Sequence, residues 1–170
     1  MKKLLVLAFT LLLSTAAFAR GGGRPGGDEG AGGPGGGLIV ADNGTVLVRR
    51  VTTDSATDTR TTTLTAYTAA GAQAWTVTLT DGGHFTLSGT NLLFVSYDST
   101  AGTSTITARA LATGAVAWTK TVTGRVQELE PFSGGTYAIV VVPAATEGGT
   151  ATRSLVAISS TGATLWTVTL

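Results

Sequence analysis

Few residues in this sequence of 170 have the types and spacing that chemistry requires. His84 is the only histidine and there is no cysteine, so a histidine-based metal site or a Ser-His-Asp triad would depend on this one side chain. His84 follows Gly82 and Gly83 at the start of a predicted strand. This position favours a turn or surface histidine over a catalytic one.

Two pairs of carboxylates are the next candidates. Asp54 and Asp58 in VTTDSATDTR resemble part of a calcium loop, but the spacing and the missing terminal glutamate favour a solvated hairpin loop. Glu128 and Glu130 are two residues apart, which places both on one face of a strand. Paired carboxylates can perform acid–base catalysis, but no second element is predicted to face them, so we predict no catalytic residues.

Arginines offer the alternative of an anion site. Arg49 and Arg50 are adjacent on a predicted strand and point to opposite faces, which argues against a shared clamp. Arg60, Arg109 and Arg153 each fall near the third strand of a repeat and could line one rim, although a solvated face is favoured. The formal net charge of +1 predicts no basic face for nucleic acid.

One further motif concerns modification. Asn43-Gly44-Thr45 is a formal glycosylation sequon, and the hairpin turn predicted at Asp42-Asn43-Gly44 explains it without a sugar. The many threonines could favour carbohydrate contact, but their β-propensity accounts for them equally well. Neither feature predicts a binding site by itself.

The N-terminus has the features of an export signal. Lys2 and Lys3 precede an apolar stretch at 4–13, and Ala17-Phe18-Ala19 supplies a small-x-small site. These features predict a secretory signal peptide, residues 1–19, that is cleaved after Ala19. The apolar stretch is about half of the roughly 20 residues that cross a bilayer, so we expect no transmembrane anchor. Without a lipoprotein cysteine, we expect a periplasmic or secreted protein.

A glycine-rich segment follows the predicted signal. Residues 20–37 read RGGGRPGGDEGAGGPGGG, with eleven glycines and two prolines. Such a segment buries too little apolar surface to offset the entropy of ordering it. We therefore predict a disordered linker at 20–37, because the lysine and the flanking elements of a phosphate-binding loop are absent.

The remaining residues, 38–170, contain a repeat. The three copies read LTAYTAAGAQAWTVTL at 64–79, ITARALATGAVAWTKTV at 106–122 and LVAISSTGATLWTVTL at 155–170. Each copy has a glycine followed four residues later by a tryptophan: Gly71 and Trp75, Gly114 and Trp118, Gly162 and Trp166. The tryptophans are 43 and 48 residues apart, a period that suits a four-stranded propeller blade.

The pattern within each copy is that of strands. Trp75, Val77 and Leu79 alternate with threonines, which is typical of a half-buried strand, and the preceding glycine can adopt the positive φ of a hairpin turn. Four strands are predicted in each unit, at about 38–82, 83–124 and 125–170. The predicted fold is all-β, with three four-stranded antiparallel blade-like sheets that form a partial or oligomer-completed β-propeller.

The repeat also has a family resemblance. The sequence ITARALATGAVAW, aliphatic-x-Ala followed by Thr-Gly-x-x-x-Trp, resembles the repeat of the pyrroloquinoline-quinone-type β-propellers. That superfamily includes quinoprotein alcohol dehydrogenases and the propeller subunit of the bacterial outer-membrane protein assembly machinery. The resemblance implies that each tryptophan docks on a neighbouring blade and that the turn glycine permits the contact. The aspartate common after the alanine-aliphatic pair is absent from all three copies.

Three units are few for a propeller, which usually closes with four to eight blades. The end faces of an open array would expose apolar surface. The alternatives are a dimer that closes a six-blade ring, a small irregular three-sheet domain and a truncated gene product, and we favour association or truncation. Lys120 replaces the valine of the other copies, either as an inward charge that prevents edge pairing or as an exposed residue.

These observations predict an exported, non-enzymatic scaffold or protein-interaction module of the bacterial cell envelope. We expect no cofactor, and self-association or another envelope protein as partner. One alternative is a fragment or degenerate relative of a quinone-dependent dehydrogenase. The absence of cysteine for the vicinal disulfide often found there, and the repeat positions of all three tryptophans, disfavour it. A carbohydrate-binding surface module would require equivalent polar residues in every copy, and only threonines recur.

Overall fold

The computed structural model describes residues 36–80, 84–146 and 148–170. Every regular element in these ranges is a β-strand, and strands that are hydrogen-bonded to each other are consecutive in the sequence. The predicted signal peptide, residues 1–19, and all but the last two residues of the predicted linker lie outside the described ranges. No helix long and apolar enough to cross a membrane is found among the described residues.

The twelve strands form three antiparallel sheets, which we call blades 1, 2 and 3. Blade 1 contains β1 Gly36–Val40, β2 Val46–Asp54, β3 Thr59–Tyr67 and β4 Gln73–Thr80. Blade 2 contains β5 Phe85–Ser88, β6 Asn91–Asp98, β7 Thr103–Ala110 and β8 Val116–Thr123. Blade 3 contains β9 Arg125–Phe132, β10 Gly135–Val142, β11 Thr152–Ser159 and β12 Thr164–Thr169.

The predicted all-β architecture of three four-stranded antiparallel sheets is confirmed. Valine and threonine dominate the strands because their branched side chains suit an extended backbone. One boundary differs from the prediction: β1 begins at Gly36 rather than at residue 38, since Gly36 and Gly37 pair with Arg50 and Arg49 of β2. The first strand therefore includes the last two residues of the predicted linker.

The hydrophobic core lies between successive blades. The first cluster joins residues of blades 1 and 2: Ala41, Leu47, Leu64, Ala66, Trp75, Leu92 and Leu111. The second joins residues of blades 2 and 3: Leu93, Val95, Ile106, Ala108, Val126, Leu129, Ala138, Val140, Val156 and Ile158. Blade 2 contributes to both clusters, so its two faces are covered, whereas the outer blades contribute one face each.

A short junction joins blade 2 to blade 3. Gly124 has φ of +101°, and a Cβ atom there would lie 2.7 Å from the carbonyl oxygen of Val141, so only glycine fits. The buried Ser104 hydroxyl donates to the Gly124 carbonyl at 2.8 Å and accepts the Val126 N–H at 2.9 Å. These contacts fix how the chain leaves one blade and enters the next.

Candidate interaction site

The three repeat tryptophans have the same local backbone geometry. Each is paired across the sheet with a small alanine of the preceding strand: Ala66 with Trp75, Ala108 with Trp118, and Ala157 with Trp166. A β-bulge follows immediately in every blade and leaves the residue before the tryptophan without a cross-strand partner. Each indole therefore leaves its sheet at an equivalent position, so any difference among the three comes from what surrounds them.

Trp75 docks on blade 2. Its Nε1–H donates to the carbonyl oxygen of Leu111 at 2.7 Å, and the side chain is only 8% exposed. The ring lies against Gly114, where a Cβ atom would be 2.7 Å from Trp75 Cδ2. Gly114 also has φ of +71°, so both the turn and the indole contact require glycine.

Trp118 repeats this contact on blade 3. Its Nε1–H donates to the carbonyl oxygen of Ser160 at 2.8 Å. A Cβ atom at Gly162 would lie 2.9 Å from Trp118 Cδ2. The tryptophan of one blade thus binds the turn between the third and fourth strands of the next.

The turns that receive the indoles are equivalent. In each, one residue accepts the glycine N–H and donates its own N–H to the residue after the glycine: Thr68, Ala110 and Ser159. The residues that follow these three are Ala69, Leu111 and Ser160, and the last two provide the carbonyl groups that accept the indole N–H. Ala69 therefore occupies the acceptor position in blade 1, beside Gly71.

The remaining tryptophan and the remaining glycine have no such contact among the described residues. Trp166 is 43% exposed and lies against Tyr137 of its own blade, with 5.7 Å between ring centroids. Gly71 has φ of +81°, and apart from its two neighbours in the chain, no described residue has a heavy atom within 4 Å of the position that its Cβ would take. Blade 3 thus ends in an undocked indole, and blade 1 begins with an unfilled turn.

Trp166 belongs to the face of blade 3 that points away from blade 2, which we call the blade 3 face. The strand registers place Glu128 beside Ile139, Glu130 beside Tyr137, and Leu155 beside both Ile139 and Val168, all on this face. Glu128, Glu130, Tyr137, Ile139 and Leu155 line a shallow recess of about 200 Å³. The recess has an apolar floor and a carboxylate edge.

The face of blade 1 that points away from blade 2, the blade 1 face, is also apolar. Ile39 packs against the first core cluster, so Leu38 and Val40 point to the opposite side and are 67% and 60% exposed. Val48 pairs with Leu38 and lies on the same side, as does Arg50 two residues further along. This face therefore combines an apolar patch with a cation.

The candidate catalytic residues are not brought together. His84 is exposed and precedes β5, while Asp54 and Asp58 lie at the hairpin between β2 and β3. The Ala56 N–H donates to Asp54 Oδ1 at 2.9 Å and lowers the pKa of that carboxyl below its ordinary value. Among the residues that the structure describes, no three His, Asp or Glu side chains are placed to hold a metal ion.

Two of the arginines, Arg49 and Arg109, make contacts within the fold. The Arg49 guanidinium lies over the Phe85 ring, 5.1 Å from its centroid, while Arg50 is on the opposite face. Arg109 donates to the Gly114 carbonyl at 2.7 Å. Arg60 and Arg153 are second in their strands whereas Arg109 is next to last, so these three do not line one rim, which was the alternative to the favoured solvated face.

Two other sequence candidates have local roles. Asn43 Oδ1 accepts the Thr45 N–H at 3.0 Å within the turn between β1 and β2. Lys120 is half-buried opposite Ile106, on the side of β8 that carries Trp118 and Val122. Its charge therefore lies on the face that meets blade 3.

The sequence analysis did not identify Ala69 as an acceptor position, because the blade 2 turn is one residue longer than the other two.

Comparison with known proteins identifies the fold. No family model matches the sequence, and no curated protein matches it. Among solved structures, the chain resembles one described as "The beta-propeller domain of the Trilobed protease from Pyrococcus furiosus reveals an open velcro topology". The TM-score is 0.50 at 10% identity, and the match covers 81% of this chain and 44% of the other. The chain has a β-propeller fold, and its three blades form part of a propeller.

Proposed function

We propose that this protein is an exported, non-enzymatic interaction module of the bacterial cell envelope that binds its partners through the two open blade faces. The observation that carries the proposal is the state of Trp166. Its two counterparts, Trp75 and Trp118, each dock on a following blade, whereas Trp166 is 43% exposed on an apolar face. Such a face is typical of a protein interaction site.

The chemistry of the face supports recognition of a protein. Aromatic side chains that present an apolar ring and a polar N–H are enriched at interaction sites, and Trp166 offers both. Tyr137, Ile139 and Leu155 extend the apolar surface beside it. A matching partner would supply a small residue under the indole and a carbonyl group for its N–H, as Gly162 and Ser160 do for Trp118.

Two parts of the proposal, export and the relationship to a propeller family, are supported by the sequence. The signal peptide predicted at 1–19 supports export, and the repeat resembles that of the pyrroloquinoline-quinone-type propellers. Mass spectrometry of the protein recovered from the periplasm and the medium of an expressing bacterium tests the first point. We expect a chain that begins at Arg20. Recovery of the uncleaved chain from the cytoplasm would contradict the export proposal.

Photo-crosslinking in cells tests the interaction role. A photoreactive amino acid at Val168 would lie on the blade 3 face next to Trp166, and one at Thr100, in the exposed loop between β6 and β7, is the matched control. We expect a defined crosslinked product from position 168 and none from position 100. Equal products from both positions, or none from position 168, would overturn the proposed role.

A further inference from the structure

We propose that the blade 3 face of this 170-residue chain docks head to tail on the blade 1 face of a second copy, with Trp166 of one copy seated on Gly71 of the other. The inference rests on the proposed function and names the partner. Two of the three tryptophans and two of the three turn glycines pair with each other within the chain. Within the part of the chain that the structure describes, the members left unpaired are one donor on blade 3 and one acceptor on blade 1.

The acceptor on blade 1 has the required geometry. Gly71 has the positive φ of Gly114 and Gly162, and the space beside it is open among the described residues. Ala69 holds the position whose carbonyl accepts the indole N–H in the other two turns. Trp166 of a second copy would therefore lie against Gly71 and donate its N–H to the Ala69 carbonyl.

The two faces also complement each other in polarity. Leu38, Val40 and Val48 form an exposed apolar patch on blade 1, and the apolar floor of the recess lies on blade 3. Arg50 is exposed on the first face, and Glu128 is exposed on the second. Opposite charges on apolar surfaces favour one orientation of docking and disfavour the pairing of two identical faces.

For a chain of the three described blades, the number of blades sets the number of copies. A head-to-tail interface forms a ring if the rotation closes and a filament if it does not. Two copies of three blades give 2 × 3 = 6 blades, within the usual range of about four to eight, whereas three copies would give 3 × 3 = 9. The expected assembly is therefore a closed pair with two identical interfaces.

Sedimentation equilibrium of the purified protein across a wide range of concentrations tests the inference. We expect twice the chain mass at high concentration. Tryptophan fluorescence should also report that the tryptophan side chains become less accessible to solvent as the protein concentration rises. Trp166→Ala should raise the dissociation constant at least about 30-fold, as expected for a central aromatic anchor. Leu165→Ala is the matched control, since Leu165 is also exposed but precedes the indole on the bulge.

A second variant tests the acceptor independently. Asparagine tolerates positive φ better than other side chains, so Gly71→Asn should keep the turn and block the indole. Gly89→Asn is its control, because Gly89 has φ of +57° and equally open surroundings in the turn between β5 and β6. Only the substitution at Gly71 should weaken association, and circular dichroism should show both variants folded.

A mixing experiment distinguishes head-to-tail docking from other kinds of pairing. A Trp166→Ala copy retains Gly71, and a Gly71→Asn copy retains Trp166, so a mixed pair has one intact interface. We expect the mixture to associate more tightly than either variant alone.

A monomer at every concentration would overturn the inference, as would polymers that lengthen with concentration or association insensitive to both variants. The crosslinking experiment in cells separates this failure from failure of the proposed function. If the chain is a monomer in solution but position 168 crosslinks to another protein in cells, docking on a second copy is excluded. The proposed function as an interaction module would still be supported.

Discussion

Trp118 and Trp166 have nearly the same local structure and very different surroundings. Both pair with an alanine across the strand, both follow a bulge, and both come four residues after a glycine with positive φ. Trp118 donates its N–H to Ser160 and covers Gly162 on the next blade, whereas Trp166 is 43% exposed. The repeat sequence thus determines where the indole leaves its sheet, and the following blade determines whether it is buried.

The first residue of each repeat copy, which is aliphatic, shows the same contrast between a covered and an open face. Leu64 and Ile106 are fully buried between blades, while Leu155 at the equivalent position is half-buried beside the recess. A blade therefore presents the same apolar surface whether or not it has a neighbour. Substitutions at equivalent positions can consequently compare covered and open faces within one chain.

The largest difference is expected between the tryptophans of the first and last blades. Trp75→Ala removes a buried aromatic ring and its hydrogen bond to Leu111, and should lower the free energy of unfolding by about 3–5 kcal/mol. Trp166→Ala removes an exposed ring and should cost less than about 1 kcal/mol at concentrations where the chain is monomeric. Urea denaturation measures both values, and equal losses would contradict the assignment of Trp166 to an open face.

The aliphatic positions should show a smaller contrast. Ile106→Ala leaves a cavity between blades 2 and 3 and should destabilise the fold by about 2–4 kcal/mol, since its methyl groups are fully buried. Leu155→Ala should cost about 1 kcal/mol, because the recess beside it already admits water. The denaturation midpoints of the two variants check this order. A larger loss for Leu155→Ala would indicate that the recess is closed in the monomer.

The turn glycines provide a pair of matched substitutions. Alanine at either position adopts an unfavourable positive φ, which costs about 1–2 kcal/mol. At Gly114 the new methyl group would also lie 2.7 Å from the Trp75 ring, whereas at Gly71 it would meet open space. Thermal unfolding should therefore show a lower midpoint for Gly114→Ala than for Gly71→Ala. Identical midpoints would mean that the indole can move away without loss.

The smallest expected effect is one of pH and concerns the hairpin between β2 and β3. The pKa of Asp54 is lowered, first by the Ala56 N–H and then by Thr57, so ionised Asp54 stabilises the hairpin above its ordinary value of 3.8. This stabilisation is lost as the pH falls through the folded pKa. Asp54→Asn should flatten that part of the acid-unfolding curve, equally at low and high protein concentration. A concentration-dependent change would place Asp54 near the interface.

Much of the fold follows from local pattern. Period-two alternation after each tryptophan, and glycine at the turns, led to twelve strands in three antiparallel sheets, and the fold is confirmed. The alternative of an arginine rim could not be decided from the sequence, because a position near a third strand does not say at which end of that strand the side chain lies. The correspondence of Ala69, Leu111 and Ser160 depends on backbone hydrogen bonds across turns of unequal length, which spacing alone does not show.

The order of the strands within each blade has an evolutionary consequence. In every sheet the four strands are consecutive in the sequence, so each blade coincides with one stretch of chain and shares no strand with another blade among the described residues. A duplication or deletion of a whole repeat would therefore leave every remaining sheet intact. Each new blade would bring its own indole and its own glycine turn, so the array could lengthen or shorten by recombination without redesign of any existing contact.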